Sequence, residues 1–184
     1  MKALIIAGKY SQDIEVYYPL YRMQEEGWEV DIATPDGKET VGIYGMPIRP
    51  TMGLPENSPT AFPYKVLVLP GGARAMEYLR TNPEIILTIN RFCSYTDGII
   101  GVICHGTQLL IESEHVKGRK ISGYYSIKRD IINAGGIFVD APFVQDHRII
   151  SSPHYKYLGP WMGEVIRIAK LPITEKPWSW AYPR

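Results

Sequence analysis

Cysteine is scarce in this 184-residue sequence, which contains only Cys93 and Cys104. Two cysteines are too few for a disulfide framework, and their spacing does not match a CxxC zinc or redox pair. No apolar run reaches the roughly 18 residues of a membrane helix, and the N-terminus turns polar after Gly8, unlike a secretory signal. A formal net charge of only +1 excludes a strongly basic surface. We therefore expect a cytoplasmic protein without nucleic-acid or membrane partners.

Apolar runs and helical patterns alternate along the chain, whose length suits one domain. Short strands are predicted at residues 2–7, 29–33, 64–70 and 99–103, with a strand pair within 137–152. Helices are predicted at residues 14–26, 74–96 with a break near Pro83, 108–112, 122–134 and 155–170. Residues 36–63 are interpreted as a loop or small β excursion, and Asp13 as the cap of the first helix. The alternation predicts a single-domain α/β three-layer sandwich, with a mainly parallel sheet and helices on both faces.

Cys104 lies at a predicted strand-to-helix turn, directly after the apolar strand at residues 99–103. Gly101 and Gly106 would permit a tight turn with a strained backbone, by analogy with the serine elbow of α/β-hydrolases. A helix that starts just after the sulfur should favour the thiolate, which predicts a lowered pKa. The alternative is a small buried residue at the end of a core strand. Cys93 is interpreted as inert packing.

Several blocks of sequence resemble one known family. The segments LVLPGG, GVICHGTQLLI and RKISGYYSIKRDIINAGG, together with DIEVYYPLYRMQEEGWEVDIATP near the start, resemble the PfpI family of intracellular proteases. This family is related to the Parkinson-linked protein deglycase and to class I glutamine amidotransferases. The resemblance covers nearly the whole chain. It implies a flavodoxin-like, class I glutamine amidotransferase-like domain at residues 1–171, followed by an aromatic and proline-rich extension at residues 172–184.

The same resemblance assigns roles to individual residues. The family's nucleophile falls on Cys104, and the histidine typical of its protease-like branch falls on His105. The acid that approaches the cysteine from the first helix matches Glu15. A glutamate that a neighbouring subunit lends to the histidine matches Glu77, and a tyrosine that lines the pocket matches Tyr124. A carboxyl group beside a thiolate would have a raised pKa and could donate a proton to the substrate.

Backbone N–H groups could complete the site. Those of Gly71 and Gly72, together with that of His105, are expected to form an oxyanion hole. His154 lies where amidotransferases carry their catalytic histidine, but Lys156 stands where the acid partner would follow, so a complete amidotransferase triad is not expected. We place His154 among the substrate-binding residues.

Two departures from the family pattern concern the substrate. Pro153, His154 and Tyr155 replace a segment in which relatives usually carry a basic residue. The C-terminal extension adds Trp178, Trp180 and Tyr182. Because Pro177 and Pro183 interrupt this segment, we expect it to form an extended strap across a subunit or its neighbour. A disordered end is the alternative.

The leading functional prediction is a cysteine-dependent enzyme that acts on a small carbonyl or amide substrate through a covalent sulfur adduct. Its activity would be of the glyoxalase, deglycase, peptidase or amidase type. One alternative is an oxidative-stress sensor or chaperone-like protein in which Cys104 is oxidised to sulfinate and held by Glu15. Another is a lyase or hydratase specialised for a small metabolite, indicated by the altered segment and the aromatic tail.

Neither a cofactor nor a metal site is expected, because His115 and His147 lack nearby ligands in sequence and are interpreted as surface or turn residues. The expected partners are a small-molecule or peptide substrate and further copies of this chain. We predict a homodimer, or a homohexamer if Glu77 is shared between subunits.

Overall fold

Short, mostly apolar strands form the centre of the protein in a computed structural model, which describes residues 1–54, 63–95 and 97–172. The strands are β1 (Lys2–Ile6), β2 (Glu29–Thr34), β3 (Thr40–Val41), β4 (Pro47–Ile48), β5 (Met52–Gly53), β6 (Val66–Leu69), β7 (Ile99–Ile103), β8 (Lys120–Ile121), β9 (Ile137–Phe138), β10 (Val144–Asp146) and β11 (Ile149–Ser152). The helices are α1 (Asp13–Glu25), α2 (Ala73–Leu79), α3 (Pro83–Tyr95), α4 (Thr107–Glu112), α5 (Lys128–Asn133) and α6 (Leu158–Lys170).

Seven strands form the main sheet in the order β10-β11-β7-β6-β1-β2-β5. All neighbouring pairs are parallel except β10 and β11, which form an antiparallel hairpin. The chain passes from β1 to β2 on one side and later to β6 on the other side of β1. At such a switch point the loops after neighbouring strands diverge and leave a crevice at their carboxyl ends. The predicted parallel sheet is confirmed, and the crevice is where a ligand site is expected.

Two apolar layers flank this sheet because successive strand residues point to opposite faces. In β1, Leu4 and Ile6 pack with residues of α2, α3, α4 and α5, whereas Ala3 and Ile5 pack with residues of α1 and α6. Trp161 of α6, the largest fully buried side chain among the described residues, donates its indole N–H to the backbone carbonyl of Ile150 in β11 at 2.9 Å. The predicted three-layer α/β sandwich is therefore confirmed.

The first helix begins differently from the prediction. Gln12 occupies the cap position of α1 without a side-chain hydrogen bond to the helix. The buried Asp13 carboxylate instead accepts the backbone N–H groups of Tyr44 at 2.8 Å and Met46 at 3.0 Å, in the loop between β3 and β4. The assignment of Asp13 as the helix cap was wrong, because the carboxylate is drawn to unpaired N–H donors of a distant loop.

The predicted helix at residues 122–134 is also corrected. Strand β8 precedes this segment, a 3-10 turn occupies Tyr125–Ile127, and only α5 is α-helical. The N–H of Tyr124 donates to the carbonyl of Cys104 at 3.1 Å, so the backbone is held by a distant loop in place of a helical turn. The predicted break near Pro83 is confirmed by the separation of α2 and α3.

The predicted β excursion within residues 36–63 contains the β3–β4 hairpin and β5, while residues 55–62 lie outside the described residues. Residues 173–184, and with them the aromatic part of the proposed extension, lie outside it as well. Within the described part of the chain, none of the helices has the length and apolar character needed to cross a membrane.

Candidate active site

The turn that carries Cys104 joins β7 to α4 at the carboxyl edge of the sheet. Cys104 has a φ of 60° and lies in a 3-10 turn that ends at Gly106. A non-glycine residue in this left-handed region costs about 1–3 kcal/mol and persists only where the surroundings enforce it. A Cβ atom at Gly106 would collide with the carbonyl oxygen of Leu69, so glycine is required for the close approach of β6 to the turn. The predicted strained elbow is present.

Glu15 of α1 is fully buried beside this turn. Its Oε2 accepts the N–H of Gly71 at 2.8 Å, and its Oε1 receives no N–H or O–H donor from any described residue. Burial raises the pKa of the Glu15 carboxyl to about 7, although hydrogen bonds from Gly71 and Cys104 act in the opposite direction. The carboxyl group therefore exchanges its proton near neutral pH, as a general acid–base group should.

The loop after β6 approaches the sulfur very closely. A Cβ atom at Gly71 would lie 2.7 Å from Cys104 Cβ, and 2.8 Å from both Glu15 Oε2 and the His105 nitrogen. The N–H of Gly71 is taken by Glu15, which differs from its expected place in an oxyanion hole. The N–H groups of Gly72 and His105 do face the Cys104 sulfur, where they lower its pKa.

The overall effect on the Cys104 thiol is nevertheless opposite to the expected one. Burial raises its pKa first of all, and the charge of Glu15 raises it further. These effects outweigh the two backbone N–H groups, and α4 begins only at Thr107, beyond the 3-10 turn. A raised pKa favours the protonated thiol at neutral pH, so Cys104 would have to lose its proton in order to act as a nucleophile.

His105 contacts the sulfur from the other side. Its Nδ1 lies 3.3 Å from Cys104 Sγ, its Nε2 lies 3.2 Å from Ser126 Oγ, and its ring stacks on that of Tyr124 with centroids 4.6 Å apart. Burial lowers the pKa of His105, so the imidazole is neutral at neutral pH and can accept a proton.

A cavity of about 450 Å³ opens above these groups. Its lining includes Cys104, His105 and Tyr124, the predicted His154 with its neighbour Tyr155, and several further residues: Gln12, Ile43, Tyr44, Gly72 and Ala73. The elbow, the helix α1 and the loop after β6 are thus brought together at one small-molecule-sized site, as expected at a topological switch point.

The sequence matches the DJ-1/PfpI family over residues 1–168. The chain belongs to the DJ-1/PfpI family. It is 36% identical to deglycase PfpI of Pyrococcus furiosus over 171 residues, which are 92% of this chain and 100% of the relative. It is also 36% identical to a deglycase of Thermococcus kodakarensis, with the same coverage of both chains. The predicted family and the prediction of a PfpI-type enzyme are confirmed.

Solved structures with the same fold support the architecture of this DJ-1/PfpI family member. Drosophila melanogaster DJ-1beta matches with a TM-score of 0.80 at 21% identity, over 92% of this chain and 88% of that one. A two-domain protein from Anabaena variabilis, which contains a DJ-1/ThiJ/PfpI-like domain, matches with a TM-score of 0.84 at 23% identity. That match covers 91% of this chain and 49% of the larger protein.

Glu77 is the predicted site residue that the fold does not bring to the sulfur. It lies on the exposed side of α2 and is absent from the cavity lining. Within one protomer, His105 contacts Ser126 instead. A role for Glu77 toward the histidine of a neighbouring subunit stays a prediction. Among the residues that the structure describes, no cluster of three or more histidine, cysteine or acidic side chains could hold a metal ion.

Sequence reasoning missed two parts of this family member's site. Ser126 follows Tyr124 by two residues within the helix that was wrongly predicted, so its contact with His105 was hidden. Tyr44 and Ile43 come from the β3–β4 hairpin, which was interpreted only as a loop or β excursion. The glycines around residue 42 were the signal available in the sequence. The structure explains Gly42, because a Cβ atom there would collide with the Asp13 carboxylate.

Proposed function

We propose that the protein is a glyoxalase or deglycase that acts on small α-oxoaldehydes and their early adducts with amines. The observation that supports this best is the buried Glu15 carboxyl, with a pKa of about 7, directly beside the Cys104 thiol. A thiol of raised pKa needs a neighbouring base as it attacks, and an aldehyde oxygen needs an acid as it becomes a hydroxyl. Glu15 can serve both needs in turn. The deglycase names of the archaeal relatives support the same activity.

In the first step, Cys104 Sγ forms a bond to the aldehyde carbon and its proton passes to Glu15. The carbonyl oxygen then takes that proton, and the product is a neutral hemithioacetal. The N–H groups of Gly72 and His105, which face the sulfur, would stabilise negative charge that develops beside it.

In the second step, the neutral imidazole of His105 removes the proton from the carbon that now carries the sulfur. The electron pair moves toward the neighbouring keto group, whose oxygen takes up the proton from His105 to give an enediol. The neighbouring carbon then gains a proton while the hydroxyl on the sulfur-bearing carbon loses one, which forms an α-hydroxy thioester. Water then cleaves the C–S bond, which releases an α-hydroxy acid and restores the thiol, so that the whole reaction adds one water molecule and needs no oxidant.

Methylglyoxal turnover by the purified protein tests this proposal, with lactate measured by proton NMR. We expect lactate from the wild type and a loss of at least about 100-fold in kcat/KM for Cys104→Ala. Cys93→Ala is the matched control, because Cys93 is the other buried thiol and lies outside the cavity lining. Absence of lactate with the wild type, or equal rates with and without Cys104, would contradict the proposal. Cleavage of small peptides or amides in its place would favour the hydrolase form.

Oxidation of Cys104 is a second candidate function, and the same geometry favours it. The N–H groups of Gly72 and His105 face the sulfur, and the protonated form of Glu15 can donate to an oxygen placed on it. Two peroxide molecules would each transfer one oxygen atom to the sulfur to give a sulfinate, and the other oxygen atom of each would leave as water. Mass spectrometry after mild peroxide treatment is expected to find two added oxygen atoms on Cys104 and none on Cys93. Equal oxidation of both thiols, or oxidation unchanged in Glu15→Ala, would argue against this role.

A further inference from the structure

The wall of the cavity next to Cys104 consists of a series of aromatic rings. His105 stacks on Tyr124 with centroids 4.6 Å apart, and Tyr124 stacks on His154 at 5.9 Å. His154 in turn meets Tyr155 at 3.9 Å, and Tyr155 hydrogen-bonds with Tyr44 of the β3–β4 hairpin. The rings therefore run from the residue beside the nucleophile to the opposite loop of the cavity.

This ring series is fixed in place by backbone contacts. His154 Nδ1 accepts the N–H of Lys156 at 3.1 Å, which orients the imidazole and leaves its other nitrogen to carry the proton. At the far end, the backbone N–H of Tyr44 is bound by the buried Asp13 carboxylate. The wall is preorganised, so a ligand ring would lose little free energy in ordering it.

The wall is also uncharged. None of the described residues that line the cavity is a lysine, arginine, aspartate or glutamate, and burial lowers the pKa of both His105 and His154. Arg74 and Lys156 each directly follow a lining residue in the sequence, but each packs over an aromatic ring that does not line the cavity. Arg74 lies 3.8 Å from the Tyr10 ring centroid, and Lys156 lies 4.8 Å from that of Tyr157. A charged substituent would thus enter the cavity without a partner.

From these observations we propose that the enzyme prefers α-oxoaldehydes whose keto carbon carries an uncharged, planar group such as an aryl ring. The inference rests on the proposed function and names its substrate class. A cavity of about 450 Å³ falls within the roughly 300–1,000 Å³ range of small-molecule sites, so it can hold a ring as well as the reacting carbonyl. Ring pairs favour offset stacks and edge-to-face contacts, and each contact corresponds to an affinity gain of about two- to thirteenfold.

Competition between phenylglyoxal and methylglyoxal tests the preference. The wild type is expected to show a kcat/KM for phenylglyoxal at least about tenfold above that for methylglyoxal, and His154→Ala is expected to reduce this ratio by about two- to thirteenfold. His147→Ala is the matched control, since His147 is exposed in the β10–β11 turn and outside the lining. 4-Carboxyphenylglyoxal should be a poorer substrate than phenylglyoxal, and an equal kcat/KM would overturn the requirement for an uncharged ring.

The outcomes separate this inference from the proposed function. Methylglyoxal turnover equal to or faster than phenylglyoxal turnover would overturn the aryl preference and leave the glyoxalase proposal intact. If neither compound is turned over, the proposed function is wrong, and a binding measurement then tests the preference for an aryl group. NMR titration should then shift the amide signals of Gly72 and Tyr124 with acetophenone but not with acetone. Equal shifts with both ketones, or none with either, would overturn the inference.

Discussion

The buried carboxyl group of Glu15 links the stability of the protein to pH. Its pKa rises from an ordinary value of 4.5 to about 7 on folding, so the folded chain holds the proton over a range in which the unfolded chain has already released it. The free energy of unfolding should therefore fall as pH rises from 4.5 to about 7, by roughly 3 kcal/mol. Below pH 4.5 the carboxyl is protonated in both states and this loss is absent.

Chemical denaturation of the wild type and Glu15→Gln across this pH range measures the effect. The glutamine variant should lack the decline that belongs to this carboxyl, while Glu84→Gln, at an exposed glutamate of α3, should follow the wild type. Identical profiles for the wild type and Glu15→Gln would show that the carboxyl ionises as freely in the folded protein as in the unfolded one.

Glycine at position 71 is required by the packing of the site. A side chain there would contact Cys104, Glu15 and the His105 backbone within 2.8 Å, so Gly71→Ala should lower the free energy of unfolding by about 1–3 kcal/mol and strongly reduce kcat/KM. The matched control is Gly163→Ala on α6, where a Cβ atom meets nothing within 4 Å. It should keep activity and gain up to about 1 kcal/mol. Full activity in Gly71→Ala would contradict the tight contact.

The residues of the site could be predicted from sequence where a short local pattern, or the resemblance, pointed to them. The apolar strand that ends just before Cys104, together with Gly106, is enough to predict the elbow, and the resemblance supplied Glu15. The direction of the thiol pKa was not predictable, because it depends on burial and on a carboxyl 89 positions away in sequence, from residue 15 to residue 104. Sequence shows that a helix follows the cysteine, but not how far water is excluded from it.

Among the elements, the β3–β4 hairpin contributes a pocket wall although it lies outside the main sheet. Its loop is held by the Asp13 carboxylate through the N–H groups of Tyr44 and Met46. Asp13→Ala would leave both donors without this acceptor and should lower the free energy of unfolding by about 2–4 kcal/mol. It should also raise KM more than it lowers kcat, because Tyr44 lines the cavity while the reacting groups stay in place.

Denaturation and steady-state kinetics of Asp13→Ala should be compared with those of Asp36→Ala. Asp36 is exposed and accepts a single N–H, that of Lys38 at 3.2 Å, so its loss should cost less than about 1 kcal/mol and leave KM unchanged. Equal effects of the two substitutions would mean that Asp13 does not position the hairpin.

Element types were predictable where a run of apolar residues was long enough to show its period. The strands β1, β6 and β7 are fully or almost fully buried and read as continuous apolar runs. The segment at residues 122–134 has helical spacing, yet the backbone of Ser122 and Tyr124 pairs with Ser151 and Cys104. Such long-range hydrogen bonds leave no trace in a local periodic pattern.

At the scale of the whole molecule, the prediction that subunits share their sites depends on Glu77, which is exposed on α2. If a neighbouring subunit lends this glutamate to His105, Glu77→Ala should lower activity without altering the protomer fold. Co-expression of Glu77→Ala with Cys104→Ala should then restore part of the activity, because one chain keeps the thiol and the other keeps the glutamate. No recovery in the mixed assembly, or a monomer by light scattering, would contradict shared sites.

The fold class followed from the alternation of strands and helices, but the strand order did not follow from it. The placement of β1 between β2 and β6 depends on which helices cover which face. The resemblance to a known family narrowed that gap, since it implied a flavodoxin-like domain and assigned the family's nucleophile to Cys104.

Cys104 and Glu15 stand at the end of β7 and on the first helix, whereas Tyr44, His154 and Tyr155 of the aromatic wall come from the β3–β4 hairpin and the segment after β11. Part of the proposed selectivity therefore comes from elements that carry neither the thiol nor the carboxyl group. On the proposed function, exchange of the segment around His154, or of the hairpin tip, should alter which substrates the cavity accepts while the core and the turn at Cys104 stay unchanged. These two segments are therefore the positions at which substitutions should change substrate choice with the smallest effect on the fold.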